Sequence, residues 1–199
     1  MIDISEIGTS EPFRRFNFFY DKASKNNQKS IDALTVCSFN LFLQETDVRI
    51  VNLKYIKKNK FIFFTNYKSK KANDFESHPQ VSALIFWNTI NVQIRIKGII
   101  KKTSSKLSDD HFKKRSLKKN ALAISSCQSQ TTHSYNIVKK KYEDMFNSDY
   151  DLESRPEYWG GYEINPYYFE FWEGNDSRIN KREVFKNSNG HWRQSFLQP

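Results

Sequence analysis

Basic side chains recur in two neighbouring stretches of the sequence that also carry strand-like patterns. Arg49 and Lys54 flank the stretch Ile50-Val51-Asn52-Leu53, and Lys70 and Lys71 stand at the expected start of a helix. Such a set could hold a phosphate group, because arginine offers a bidentate fork, lysine a point charge and a helix N-terminus free N–H donors. Taken alone, the pattern also fits a solvated, lysine-rich surface.

Motifs for other kinds of chemistry are missing from the sequence. His78, His111, His133 and His191 form neither HxxxH nor HExxH, and there is no GxSxG, GxGxxG or P-loop pattern. We therefore expect each histidine to lie at the surface. The two cysteines are far apart and form no CxxC pair, which argues against a zinc site and for a reducing compartment. Cys37 lies in an apolar strand pattern and is expected to be buried.

Composition and charge limit the class of protein. The chain has 199 residues, 38% of them hydrophobic and 16% aromatic, which suits one folded domain with a substantial core. The net charge of +10 favours anionic partners such as phosphates, nucleic acid or a membrane surface. No apolar run approaches the roughly 18 residues of a membrane span, and the first ten residues do not read as a signal peptide. We expect a cytoplasmic protein.

The elements that must position the basic residues are mostly strands. Side chains alternate between apolar and polar along the strand-like segments, and aromatic residues recur at helical spacing near the N-terminus. The predicted strands are 32–40, 48–55, 60–65, 80–87, 91–102, 158–164, 167–172, 182–185 and 191–196. The predicted helices are 11–23, 69–77, 105–119 and 132–146. This order predicts a mainly β (α+β) protein in which helices are added to a β-barrel.

The order of segments resembles the pyridoxamine/pyridoxine 5'-phosphate oxidase family. Residues 49–54 and 63–72 are similar to its flavin-binding stretch. The similarity continues through residues 91–98, 127–129, 158–162, 169–174, Trp192 and 197–199. The resemblance implies an FMN-binding split β-barrel that forms a homodimer. Residues 1–10 read as a flexible arm before a single domain over 11–199, and the resemblance implies that 156–199 is the family's C-terminal dimerisation region.

The resemblance assigns residues to the cofactor. FMN would be bound by Arg49, Ile50, Val51, Asn52, Phe64, Thr65, Lys70, Lys71, Gln93, Gln128, Ser129, Trp172 and Arg182. Gln128 and Ser129 would come from the partner subunit. The implied reaction moves a hydride from the substrate to flavin N5, and oxygen then reoxidises the flavin and yields hydrogen peroxide. The protein contributes positioning and electrostatics, so no side-chain nucleophile is required.

The substrate contacts depart from the family pattern. The resemblance assigns the substrate, a small anionic or phosphorylated molecule, to Lys54, His111, Arg115, Lys119, Arg178 and Asn180. Of these, Arg178 and Asn180 are the candidates for a catalytic role. His111 stands where the family usually has tyrosine, Lys119 lies near a usual serine, and Asn180 replaces a histidine.

Three functions therefore stay open. The first is an oxidase of pyridoxamine or pyridoxine 5'-phosphate. The second is an oxidase of a secondary metabolite, similar to the phenazine-biosynthesis flavin oxidases. The third is a protein that binds flavin or nucleic acid without turnover, which the basic segment 113–119 motivates.

Overall fold

The computed structural model describes residues 1–199, and its strands carry the alternation of buried and exposed side chains seen in the sequence. The strands are β1 (Asp3–Glu6), β2 (Ala33–Asn40), β3 (Glu45–Lys57), β4 (Lys60–Asn66), β5 (Gln80–Trp87), β6 (Val92–Lys102), β7 (Trp159–Glu173), β8 (Lys181–Ser188) and β9 (His191–Leu197). The helices are α1 (Glu11–Lys25), α2 (Lys70–Ser77), α3 (Ser105–Lys113), α4 (Leu117–Ser125) and α5 (Tyr135–Phe146). None of these helices combines the length and the apolarity needed to cross a membrane.

Six antiparallel strands close into a barrel. The order runs β2, β3, β4, β7, β6 and β5, and β5 pairs back onto β2. Closure leaves no unpaired edge among these strands. Strand β7 is long enough to pair with β4 along its first half and with β8 along its second, so β8 and β9 extend the sheet beyond the barrel. The predicted fold class, a mainly β split barrel with helices, is confirmed.

Aromatic side chains fill the core between α1 and the barrel. Phe13, Phe16 and Phe19 lie on one face of α1 and are at most 1% exposed. Phe16 meets Phe61 of β4 edge-on, with ring centroids 5.2 Å apart, and Phe13 meets Phe169 of β7 at 5.3 Å. The helical spacing of these residues is therefore explained by core packing.

Two predicted elements have different boundaries in the structure. The single helix expected over 105–119 is two helices, because the chain turns between Lys113 and Leu117 and begins α4 afresh after Ser116. The buried Asn120 side chain donates to the carbonyls of Phe112 and Leu152, which holds this turn in place. In contrast, the two strands expected over 158–172 form one continuous strand, β7, with a register shift opposite Gly98.

The N-terminal residues are not the loose arm that we expected. Strand β1 pairs in parallel with β3. Ile2 is only 4% exposed, and its N–H donates to the hydroxyl of Tyr20 at 3.1 Å. Apolar burial and this hydrogen bond anchor a segment whose composition alone gave no strand signal. Cys37 also differs from expectation, since it is half-buried on the outer face of β2.

Candidate functional site

A pocket of about 400 Å³ lies where β3 and β4 meet α3 and α4. Its lining consists of Ile50, Val51, Asn52, Lys54, Phe64, Thr65, Asn66, Lys71, His111, Arg115, Lys119, Leu122, Ala123, Ser126, Gln128 and Trp159. Four of these residues are cationic and none is a carboxylate. The volume falls in the range of roughly 300–1,000 Å³ typical of small-molecule sites. The pocket is therefore suited to an anionic ligand of that size.

Lys71 is the most buried cation of the pocket. Its residue is 9% exposed, and its ammonium contacts only two hydroxyls, Thr65 Oγ1 and Ser69 Oγ, each at 3.3 Å. Burial lowers the pKa of Lys71, and the nearby charge of Arg49 lowers it further. A buried ammonium without a carboxylate partner is costly in the free protein. An anion placed beside it would offset that cost.

Arg49 and Lys70 are the other basic residues assigned to FMN near Lys71, and both are already paired with carboxylates. Arg49 contacts Asp47 at 2.9 Å and the buried Asp74 at 3.3 Å, and it donates to Ser38 Oγ at 2.7 Å. Lys70 is exposed and contacts Asp47 at 3.1 Å. Neither residue lines the pocket. Lys71 is thus the member of this group that is free to meet a ligand.

One wall of the pocket is a parallel stack of rings. His111 lies on Phe64 with centroids 3.7 Å apart and an interplanar angle of 8°, and Trp159 lies parallel to Phe64 at 5.5 Å. Tyr55 stands edge-on to both His111 and Phe64, and its hydroxyl is 2.8 Å from His111 Nδ1. This position contradicts the expectation that every histidine lies at the surface.

His111 is electrically neutral at ordinary pH. Burial lowers its pKa from 6.5 to about 4, and the charges of Arg115, Lys54 and Lys114 add to the effect. The Phe64 ring excludes water from one face of the imidazole, and the cations disfavour a further positive charge. His111 therefore contributes a polar ring to the pocket without adding to its charge.

The neutral state of His111 should make the free energy of unfolding depend on pH. The unfolded chain takes up a proton at His111 below pH 6.5, whereas the folded chain does so only near pH 4. Unfolding is thus favoured progressively as the pH falls through this window, by an amount on the order of 3 kcal/mol. We expect the free energy of unfolding to fall less steeply between these pH values in His111→Phe than in the parent protein. Parallel curves from urea titrations would contradict this prediction.

Arg115 carries an unpaired donor at the pocket wall. Its Nη2 donates to the carbonyl of Lys119 at 2.8 Å, whereas the buried Nη1 has no hydrogen-bond partner in the chain. The guanidinium lies over the Trp159 ring, 4.3 Å from its centroid. Burial lowers the pKa of Arg115 to about 10, so the group stays cationic at neutral pH. The stacking fixes the plane of the guanidinium at the pocket wall.

Lys54 and Lys119 complete the cationic lining. Lys54 is half-buried and contacts Asp32 at 2.8 Å. Burial opposes ionisation of Asp32, but the hydrogen bond and charge of Lys54 lower its pKa overall. Lys119 is exposed at the pocket mouth. The four substrate contacts assigned on β3, α3, α4 and the turn between the two helices thus line one pocket.

Five more of the assigned residues lie elsewhere, on β6, β7 and β8 and in the loop before β8. Gln93, Trp172 and Arg182 form one cross-strand row over β6, β7 and β8. The buried Glu170 accepts from Arg182 Nε and Nη2 at 2.9 and 2.7 Å and thereby holds Arg182 within this row. Arg178 and Asn180 lie in the loop before β8, where Asn180 Oδ1 accepts from the Asn175 N–H at 3.0 Å. The chain therefore carries two separate groups of assigned residues.

Gln128 and Ser129 follow α4. Gln128 Oε1 accepts from Thr65 Oγ1 at 3.0 Å, so this side chain reaches the pocket of its own chain. Ser129 does not line the pocket and has a φ of 71°. The assignment of these two residues to a partner subunit stays a prediction.

Sequence reasoning missed Tyr55 and Trp159 as site residues. Tyr55 follows Lys54 on β3 and gives no signal of its own, because its role depends on α3 folding over the strand. Trp159 lies within the stretch 158–162 that carried the resemblance, but only the structure shows that its ring supports Arg115.

Comparisons with known proteins agree with this geometry. Residues 45–149 match the family model for pyridoxamine 5'-phosphate oxidase, and residues 159–199 match that for the pyridoxine 5'-phosphate oxidase C-terminal dimerisation region. The chain is 34% identical over 181 residues to pyridoxine/pyridoxamine 5'-phosphate oxidase of Bordetella pertussis, which covers 90% of this chain and 84% of the relative. It is 30% identical over 200 residues to the enzyme of that name from Leptospira interrogans, covering 100% and 92%.

Two solved structures share the fold. PhzG from Burkholderia lata 383, crystallised with tetrahydrophenazine-1-carboxylic acid, superimposes with a TM-score of 0.90 at 22% identity and covers 96% of this chain and 94% of its own. A pyridoxamine 5'-phosphate oxidase-related, FMN-binding protein from Nostoc punctiforme superimposes with a TM-score of 0.81 at 13% identity, covering 96% and 100%. At these identities the likeness establishes the architecture.

Proposed function

The chain belongs to the pyridoxamine 5'-phosphate oxidase family, and from this premise we propose that it is an FMN-dependent oxidase of pyridoxamine or pyridoxine 5'-phosphate. The observation that carries the proposal is the pocket in which Lys54, Lys71 and Arg115 converge without a lining carboxylate. Such a lining selects ligands that bring negative charge of their own. FMN and pyridoxine or pyridoxamine 5'-phosphate each carry a phosphate group.

The pocket residues fit FMN. The buried ammonium of Lys71, at the start of a helix with no acidic residue in its first turn, suits the cofactor phosphate. Phe64, Ile50 and Val51 give apolar surface for the ring, and Thr65 and Gln128 give hydrogen-bonding groups. When bound, FMN would accept a hydride from the substrate carbon and be reoxidised by oxygen to give hydrogen peroxide.

The remaining pocket side chains would bind and orient the substrate. Lys54, Arg115 and Lys119 would hold its phosphate, since Arg115 brings a guanidinium stacked on Trp159 and the two lysines add charge. The stack of His111, Phe64 and Trp159 would exclude water from one side of the site. Exclusion of water strengthens the electrostatic contacts that fix the substrate.

We propose that the active site is completed across a homodimer. The pocket of one chain lacks Gln93, Trp172, Arg182, Arg178 and Asn180, which lie together on β6–β8 and the loop before β8. A twofold axis would allow each chain to bring this second group to the pocket of the other. The match of residues 159–199 to a dimerisation region supports this arrangement.

Mixing two inactive variants should restore activity if the site is shared. Arg115→Leu removes a pocket residue and Arg178→Ala removes an exposed loop residue from the second group. A mixed dimer holds one site with both changes and one intact site, so an equal mixture refolded together should regain about a quarter of the parent activity. Recovery no greater than the sum of the two variants measured separately would show that each site belongs to one chain.

The proposed reaction is tested by an absorbance spectrum and an anaerobic titration. The purified protein should carry or take up FMN, identified by mass after release. Pyridoxine 5'-phosphate should bleach the flavin without oxygen, and pyridoxine without the phosphate should do so far more slowly. Equal rates with the two compounds would contradict a phosphate-selective site.

Two other outcomes would redirect the assignment. A flavin that neither B6 phosphate bleaches, but that a carboxylated heterocycle does, would favour the secondary-metabolite oxidase. A protein that takes up no FMN would favour the non-catalytic binding function, for which salt-dependent affinity for RNA is the direct measurement.

A further inference from the structure

The orientation of the His111 ring is determined by contacts on its face and on its edge. The nearly parallel Phe64 ring, 3.7 Å away, fixes the plane of the imidazole. A half-turn about the Cβ–Cγ bond would keep that plane and exchange the nitrogen and carbon positions of the ring. The Tyr55 hydroxyl, 2.8 Å from Nδ1, selects one of these two orientations. Tyr55 itself is held edge-on to the stack.

The chemistry of the two groups gives the direction of this hydrogen bond. A phenol hydroxyl is a stronger acid than a neutral imidazole N–H, and the unprotonated imidazole nitrogen is a good acceptor. Burial raises the pKa of Tyr55, so its proton stays in place at neutral pH. His111 Nδ1 is the only hydrogen-bond partner of the Tyr55 hydroxyl in the chain. The hydroxyl therefore donates to Nδ1, which leaves the imidazole proton on Nε2.

The Nε2 atom of His111 is open to the pocket. It makes no hydrogen bond within the chain, and it remains accessible to solvent. His111 is a lining residue of the pocket, beside Arg115 and Lys54. An N–H at this position can donate into the space where those two cations converge.

We propose that Tyr55 is a positioning residue that fixes His111 as the neutral Nε2–H tautomer, so that the imidazole donates one directed hydrogen bond to the anionic group of the substrate. The inference rests on the proposed function for the identity of that substrate. Arg115 and Lys54 supply charge, whereas His111 would supply direction without adding a further positive charge to repel them. Tyr55 belongs to β3, and it is not one of the residues that the family resemblance assigned to the cofactor or the substrate.

The tautomer can be observed directly. In protein labelled with ¹⁵N-histidine, long-range proton–nitrogen correlation distinguishes a protonated Nε2 from a protonated Nδ1. The His111 signals are identified as those absent from His111→Phe. We expect a single Nε2–H tautomer that persists down to pH 5.5 in the parent, and a mixture of tautomers in Tyr55→Phe, which keeps the ring of Tyr55 and loses only its hydroxyl. An Nδ1–H tautomer in the parent would overturn the proposal.

Kinetics supply the second readout. Tyr55→Phe should raise KM for pyridoxine 5'-phosphate about two- to tenfold, the range of one neutral hydrogen bond, while kcat stays within about twofold. Tyr20→Phe is the matched control, because it removes a buried hydroxyl that bonds only Ile2 and lies outside the site. An unchanged KM in Tyr55→Phe, or an equal rise in Tyr20→Phe, would overturn the proposal.

The two proposals fail in different ways. If pyridoxine 5'-phosphate is not oxidised, the proposed function falls, but the tautomer spectrum still decides the state of His111. Binding of inorganic phosphate, measured by calorimetry on the parent, Tyr55→Phe and His111→Phe, then replaces KM. Weaker binding in both variants supports the role of the pair, and equal binding in all three proteins overturns it.

Discussion

Replacing Lys71 with methionine should weaken FMN binding roughly 30- to 5,000-fold, the range observed when one partner of a buried charge pair is truncated. Lys71 is the pocket cation with the least exposure and without a carboxylate partner, so its contribution to an anionic ligand is not shared with another ion pair. Riboflavin, which lacks the phosphate, should bind the parent and the variant with similar affinity. Fluorescence quenching of each flavin on titration with apoprotein measures both affinities.

The same change should stabilise the apoprotein. Methionine fills nearly the volume of the lysine stem, and it removes an ammonium whose only contacts are the hydroxyls of Thr65 and Ser69. Replacement of poorly compensated buried charge by an apolar side chain is often stabilising by about 1–3 kcal/mol. The free energy of unfolding without FMN should therefore rise while the affinity for FMN falls. Urea unfolding of the parent and Lys71→Met without flavin tests whether the variant is more stable, alongside its weaker FMN binding.

Lys101→Met is the matched control for Lys71→Met. Lys101 is an exposed lysine of β6 whose ammonium contacts Glu163 at 3.5 Å, and it lies outside the pocket. The control should leave FMN affinity nearly unchanged, and it should change the free energy of unfolding by no more than the small amount typical of removing an exposed charge. If Lys71→Met bound FMN as tightly as this control, the cofactor phosphate would lie elsewhere.

The sequence predicted the barrel well because its strands have one buried face. The alternation along 80–87 and 91–102 reproduces β5 and β6 almost residue for residue, since a shift of one position would expose the whole apolar face. Helix α1 was also evident, because Phe13, Phe16 and Phe19 recur at helical spacing. Local pattern and tertiary burial agree in these segments.

The errors arose where long-range contacts determine the local structure. The break between α3 and α4 depends on Asn120 reaching the carbonyl of Leu152, and the order of the N-terminus depends on Tyr20 meeting Ile2. No short window of sequence contains both partners of either contact. The same reason explains why the family resemblance could assign His111 to the substrate, whereas the role of Tyr55 required the structure.

Arg115→Leu should lower kcat/KM for pyridoxine 5'-phosphate roughly 30- to 1,000-fold, mostly through KM. Arg115 lines the pocket and stays cationic, and the ring of Trp159 holds the guanidinium plane, so the group is already positioned at the pocket wall for a phosphate. Arg115→Lys keeps the charge but loses the fork and the stacking, and should fall between the parent and the leucine variant. Initial rates of peroxide formation give both kinetic constants.

The substrate phosphate is the control that identifies what Arg115 binds. Slow oxidation of pyridoxine, which has no phosphate, should change by less than about threefold in Arg115→Leu, because only the phosphate contact has been removed. Lys114→Met removes the same charge from the adjacent exposed residue and should leave both substrates unaffected. An equal loss for pyridoxine and its phosphate would mean that Arg115 supports the pocket wall through Trp159 instead of binding the phosphate. The pattern across the two substrates therefore separates recognition of the anion from packing of the aromatic wall.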